Sequence, residues 1–385
     1  MRTYDLTEEQ LLIRETVRRI SEEHFKPHAA RVDRESRPPV EHIKIMADNG
    51  FCGLMIPEEF GGGGMSVFEL VLVMEQVARC CANTAMLLGG SDGLTPRVIA
   101  AAGTEAQQKK YLPKMARGEL FAAWSMSEAN AGSDVGNVHT RAVRDGNEYV
   151  INGSKMWCSS AQLADVFVLI ARLDDAPGMK GVGALLVERD APGLTVGKHL
   201  DLIGLRSTGM APLYFDECRV PADSLLVPAG GMRKMFEVLA SDRVGGNPAI
   251  CLGIASAALE GAVAYLRERK QFGRTLGEFQ GLQWKLADMA VDVEAARSLL
   301  YGAARRAARG ESSTGEASIV KIFVNEMAVR VTNSAIQLAG AYGLSTEFPF
   351  ERYFRDVRGF SMGYGTPEVM RNMLASEILT GRYVL

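Results

Sequence analysis

From residue 7 to about 120, apolar positions recur at helical spacing. Thr7 and Gln10 stand three apart, as an N-cap and its reciprocal partner do, and Leu11, Leu12, Val17 and Ile20 continue the period. Residues 68–77 are apolar on nearly every side and predict a buried helix. From about 121 to 230 the period shortens toward two, with turn residues between short runs. Strands are expected at 166–171, 182–187 and 213–215. Within 149–157, Asn152-Gly153 is the pair that supplies the positive φ angles of a tight two-residue turn, so a hairpin is expected there. From residue 232 onward the helical period returns in long segments. Ile319, Val320, Phe323, Val324, Met327 and Val331 form one apolar stripe, as a bundle core does. The pattern predicts an α+β protein: an N-terminal helical domain over 1–120, a middle β domain over 121–230 and a C-terminal helical bundle over 231–385. No internal repeat or low-complexity linker interrupts it, so the domains should pack closely.

Composition narrows the function. A chain of 385 residues has room for two or three domains. Its net charge of -3 lacks the basic field that nucleic acid requires. The six cysteines show neither zinc spacing nor a small disulfide scaffold, which fits a reducing cytoplasm. The opening MRTYDLTEEQ has no apolar signal segment. Residues 244–266 are apolar but include Asn247, Pro248 and Glu260, so a buried helix is expected rather than a membrane span. The five histidines have no metal spacing, and no metal is expected. The glycine run 61–64 lacks the Lys-Ser/Thr of a phosphate loop and reads as a flexible connector.

Four local motifs carry chemistry. In residues 124–134, Trp-Ser-Met-Ser-Glu-Ala-Asn-Ala-Gly-Ser-Asp, small and hydroxylic positions let a backbone approach a flat ring or a pyrophosphate closely. Residues 155–159, Lys-Met-Trp-Cys-Ser, put an indole beside a polar contact. Arg269-Lys-Gln-Phe-Gly273 with Glu278-Phe-Gln280, and Gln337-Leu-Ala-Gly340 followed by Arg355-Asp356, offer a fixed cation and amides. Taken in order over nearly the whole chain, the four motifs resemble those of acyl-CoA dehydrogenases. The resemblance implies FAD, a β-barrel-like middle domain and a C-terminal four-helix bundle. It assigns flavin contacts to Trp124, Met126, Ser127, Gly132, Ser133, Trp157, Ser159 and Thr366. It adds Phe272 and Gly340 as cofactor contacts, and Arg269, Gln280 and Gln337 would reach the FAD of a neighbouring subunit in a homotetramer or a dimer of dimers. Acyl-CoA would meet Ser133, Arg243, Tyr364, Gly365 and Arg371, and electrons would pass to an electron-transferring flavoprotein.

One departure bears on mechanism. The family places a Glu in a Glu-Gly-Thr run near the C-terminus, and here that run is Tyr364-Gly365-Thr366. A phenol, with an ordinary pKa of about 10, is a poor base near neutrality. Two carboxylates are candidates to replace it. Asp242 falls where some relatives keep an alternative Glu. Asp92 falls where the family usually has an apolar residue lining the acyl pocket, a costly position for a charge that does no chemistry. An acid gained in the pocket and a base lost over the α-carbon together resemble the branch acting on cyclohex-1-ene-1-carboxyl-CoA. In that branch an Asp removes a ring proton remote from the carbonyl in a 1,4-elimination. Ordinary α,β-desaturation with Asp242, and a non-redox desulfinase-like lyase on the same scaffold, are the alternatives.

Overall fold

The structure is a computed structural model, and it describes residues 4–232, 235–236, 240, 244–311 and 313–383. Seven helices come first: α1 Glu8–Ile20, α2 Ala29–Glu35, α3 Val40–Asp48, α4 Val67–Cys80, α5 Ala82–Asp92, α6 Leu94–Ala102 and α7 Glu105–Ala116. Thr7 opens α1 with the expected capping box: Gln10 N–H donates to its hydroxyl at 3.2 Å, and Thr7 N–H donates to the Gln10 amide oxygen at 3.1 Å. Helix α4 is buried on nearly every side, as its composition requires, because it packs in the middle of the helical core.

The glycine run 61–64 is a tied turn rather than a flexible connector. Gly63 N–H donates to Gly53 O at 3.0 Å, Gly64 N–H to Ile56 O at 3.0 Å and Met65 N–H to Leu54 O at 2.8 Å. A Cβ on Gly62 would stand 2.2 Å from Ile56 O, so glycine is required there for close packing.

The middle domain is built from β1 Ala122–Ser125, β2 Arg141–Asp145, β3 Glu148–Cys158, β4 Val166–Arg172, β5 Val182–Glu188, β6 Leu194–Val196, β7 Ala211–Pro221 and β8 Leu225–Val227. They form one sheet in the order β6-β7-β3-β2-β4-β5-β8, with β1 added parallel to β4. The hairpin expected at Asn152-Gly153 is absent. Strand β3 runs straight through these residues, and the turn falls earlier, between β2 and β3, where Gly146 takes φ +59°. Asn152 instead bonds Glu217 across the sheet, its Nδ2 donating to Glu217 Oε1 at 2.7 Å and its Oδ1 accepting from Glu217 N–H at 2.9 Å. Gly153 marks a bulge against β7, where a Cβ would meet Thr140 Cα at 2.7 Å.

The C-terminal helices are α8 Asn247–Glu268, α9 Gln280–Ala308, α10 Thr314–Ala339, α11 Phe350–Phe360 and α12 Pro367–Leu379, with a small ribbon of β9 Lys270–Gln271 and β10 Arg274–Thr275 after α8. Helix α8 is long and apolar enough to cross a membrane by composition, but most of it is buried against α4 and α10. The expected stripe on α10 is buried at Val320, Val324, Met327 and Val331 and partly buried at Ile319 and Phe323. One buried charge cluster joins the two helical regions: Arg297 of α9 holds Glu75 Oε1 of α4 with two N–H donors at 3.1 Å, and the Tyr301 hydroxyl donates to Glu75 Oε2 at 2.6 Å. Removing one partner of such a pair strands a buried charge.

All three regions meet at the loop 201–208. Asp356 accepts from Leu205 N–H at 2.6 Å, Arg355 forks onto Asp33 at 3.1 and 2.7 Å, and Asn83 accepts from Ser207 N–H at 2.9 Å. Arg355-Asp356, expected with the dinucleotide contacts, therefore ties domains together. Burial raises the Asp356 carboxyl to about 7.

Candidate active site

Strand β1 leads directly into the segment 126–134. Trp124 is half-buried, Ser127 is partly exposed, and Gly132 and Ser133 are exposed. A Cβ on Gly132 would meet nothing within 4 Å. The second segment is the end of β3. Its ladder on β7 pairs Lys155 with Leu213 and next Cys158 with Ala211, so Met156 and Trp157 bulge out of the ladder. Trp157 takes φ +60° and is 55% exposed, a large apolar ring turned out of the sheet. The two segments are tied by Met156 N–H donating to Ser127 O at 2.8 Å and by a buried pair, Lys155 Nζ to Glu128 Oε1 at 2.7 Å. Sequence reasoning placed Lys155 in a flavin motif but gave Glu128 no role. The only signal was a carboxylate and an ammonium, each inside a motif of small and aromatic residues.

Tyr364 stands in the loop between α11 and α12 with φ +62°, and Gly365 follows at φ +90°. Desolvation raises the phenol pKa, and the nearby Cys158 thiol adds to the rise. Thr366 caps α12, its hydroxyl accepting from Val369 N–H at 3.3 Å. Arg371 is exposed and paired with Glu326 at 2.6 Å.

Asp92 is the last residue of α5 and is completely buried. Its Oδ1 accepts from Leu54 N–H at 2.5 Å, which ties it to the glycine-rich turn. Gly90 lies against Ala122 O, so the end of α5 abuts the start of β1, the strand that carries Trp124. Asp242 and Arg243 lie outside the described residues.

A third group sits on the bundle surface. The Arg269 guanidinium lies 5.6 Å from the Tyr342 ring centroid, which joins the end of α8 to the turn after Gly340. Phe272 is 92% exposed and packs edge-on against Phe279, next to exposed Gln280. Gln337 is exposed near the end of α10, and Gly340 takes φ +60°. All five residues are exposed.

Open backbone at Gly132 and Ser133 beside an outward indole suits a flat ring system with phosphates. The exposed guanidinium and amides of the bundle patch suit its anionic and adenine parts. The residues fit FAD. Among the described residues, no group of three or more His, Cys, Asp or Glu side chains converges as a metal site.

Comparison with known proteins agrees with this fit. The chain matches the acyl-CoA dehydrogenase N-terminal domain over residues 7–119, the middle domain over 123–218 and the C-terminal domain over 229–379. It is 38% identical over 376 residues to the short-chain specific acyl-CoA dehydrogenase of Clostridium acetobutylicum, covering 97% of this chain and 99% of that one. Butyryl-CoA dehydrogenase from Megasphaera elsdenii superposes with a TM-score of 0.94 at 33% identity, over 97% of this chain and 99% of that one. A chain solved in work on the electron transferring flavoprotein of Acidaminococcus fermentans gives a TM-score of 0.93 at 36% identity, over 97% and 98%. With its helical, sheet and helical domains matched in order, the chain belongs to the acyl-CoA dehydrogenase family, the FAD-dependent oxidoreductases of CH–CH bonds.

Proposed function

We propose that this enzyme dehydrogenates a compact acyl-CoA thioester and that Asp92, not residue 364, receives the proton. The observation that carries this reading is a wholly buried carboxylate at the end of α5, combined with a phenol where the family's base belongs. With an ordinary phenol pKa of about 10, the Tyr364 ring stays protonated and cannot accept a proton near pH 7. When bound, FAD would supply the hydride acceptor. Asp92 takes the proton on its carboxylate while Leu54 N–H fixes Oδ1. The backbone N–H of residue 364 is left to polarise the thioester oxygen. Ser133, Gly365, Arg371 and Arg243 would steady the thioester and CoA arm, with Arg371 exchanging its Glu326 partner for the ligand.

The acyl group divides the reading. Moving the base to another domain favours a proton remote from the carbonyl, as in a 1,4-elimination from a cyclohex-1-ene-1-carboxyl thioester. The relatives are named for short-chain and butyryl thioesters, and they favour a short straight chain. In that case Asp242 is the alternative base. The study in which one structural neighbour was solved supports an electron-transferring flavoprotein as electron acceptor. Exposed Phe272, Trp284 and Leu344 support a subunit contact across the bundle patch, as a homotetramer would provide.

The test is anaerobic mixing of the yellow enzyme with butyryl-CoA, with a longer straight chain and with cyclohex-1-ene-1-carboxyl-CoA. Bleaching by the ring thioester, lost in Asp92→Asn, supports the 1,4-elimination. Bleaching by butyryl-CoA alone, retained in Asp92→Asn, overturns the Asp92 assignment.

A further inference from the structure

We infer that the Glu128–Lys155 ion pair is the positioning element of the flavin site, setting the distance between the segment around Ser127 and the segment around Trp157. The inference rests on the reading that these two segments flank the flavin.

The sheet does not fix that distance. Strand β1 pairs with β4, not with β3, so no ladder joins the segment beyond Ser125 to the end of β3. On its other side, β3 loses its β7 partners at Met156 and Trp157. The backbone that presents Trp157 is thus released from its neighbour on β7.

Beside the single backbone bond from Met156 N–H to Ser127 O at 2.8 Å, what replaces the ladder is charge. Lys155 is completely buried, and its Nζ donates to Met126 O at 3.0 Å and to Glu128 Oε1 at 2.7 Å, both in the first segment. Glu128 closes the loop as well: Oε1 also accepts from Thr140 N–H at 2.9 Å, and Oε2 accepts from His139 N–H at 2.7 Å. The exposed Gly132 and Ser133 lie inside the loop so closed. Thr140 in turn donates from its hydroxyl to Ser154 O at 3.1 Å, returning to β3. The Glu128 carboxyl is held below its usual range; its burial is outweighed by the Lys155 ammonium and the N–H donors of His139 and Thr140. A buried ion pair is a poor source of stability but fixes one geometry, because each charge has few places to go. A site that must hold two walls one ring-thickness apart has use for that property.

The experiment compares Lys155→Met, Glu128→Gln and the double variant. Readouts are the FAD dissociation constant of the apoprotein, the shape of the flavin's visible absorption band, and thermal unfolding of the apoprotein. Lys155→Met strands a buried carboxylate. It should weaken FAD at least tenfold and alter the flavin band at temperatures where the apoprotein is still folded. Glu128→Gln should have a smaller effect, and the neutral double variant should recover apoprotein stability but leave FAD at least tenfold weaker than in the parent. An unchanged dissociation constant and band in Lys155→Met would overturn the inference. If Lys155→Met does not fold, the double variant decides: a tenfold weaker FAD affinity in a folded apoprotein supports the positioning role, and near-parental affinity with an unchanged band, or failure to fold, overturns it. A parent protein that cannot be reconstituted with FAD would instead sink the flavin reading itself.

Discussion

Asp92 and Asp356 are buried in nearly the same way. Each is a carboxylate with almost no exposure, and each accepts a short backbone N–H bond, from Leu54 and from Leu205. Their surroundings differ. Asp356 sits beside Arg355 and Arg352 at the junction of all three regions, and its neighbour Arg355 reaches Asp33. Asp92 ends a helix whose last turn abuts the first strand of the middle sheet, and it is tied to Leu54. Burial of a carboxylate alone therefore does not mark a catalytic group. Its position relative to the reacting centre decides, and the two residues allow that distinction to be tested.

The largest effect is expected from Asp92→Asn, which should keep FAD and lose turnover by about 10²–10⁴-fold, the contribution of a positioned base. Rapid mixing with substrate under anaerobic conditions measures it. Turnover within threefold of the parent would place Asp92 beside Asp356 as a purely structural residue.

Asp356→Asn should do the reverse, leaving turnover intact while changing the pH dependence of stability. Its carboxyl is raised from 3.8 to about 7 in the folded protein, so folding favours the protonated form. That contribution is complete below about pH 4 and is lost as pH rises through about 7. The amide variant should match the parent in acid and be more stable at about pH 8, by on the order of 1–3 kcal/mol. Thermal melts at the two pH values check it, and parallel curves for the two proteins would refute it.

Gly62→Ala perturbs the turn to which Asp92 is bonded, by forcing a methyl group against Ile56 O. A cost of about 1–3 kcal/mol in unfolding free energy is expected. Turnover should fall with it if the turn holds the carboxylate in place. Denaturant unfolding alongside single-turnover rates separates the two losses.

Tyr364→Phe should be mildest, with turnover changed less than about threefold, because a phenol that stays protonated transfers no proton. A tenfold loss that grows with pH would return residue 364 to the chemistry.

Much of this architecture was legible along the chain. The capping box at Thr7, the buried helix around residues 68–77, the strands at 166–171 and 182–187 and the stripe on α10 all follow from local periodicity. Two local signals misled. Asn152-Gly153 has the composition of a tight turn, but the approach of Thr140 and the Glu217 bond across the sheet keep it inside a strand. The glycines at 61–64 look flexible, yet Gly62 and Gly63 are held to glycine by the nearness of Ile56 and Leu54. In both cases the deciding neighbour is distant in sequence or on another strand, and local propensity cannot register it.

The sequence by itself determined the order of helical, sheet and helical regions and the substitution of Tyr364 for a carboxylate, since periodicity and residue chemistry belong to the chain. Only the tertiary structure decided that Lys155 meets Glu128, that Asp92 is bonded to Leu54 while Arg355 and Asp356 clasp three domains, and that Trp157 turns out of its ladder. The reason is physical: the state of a buried charge depends on partners that folding brings from 27, 38 or 151 residues away.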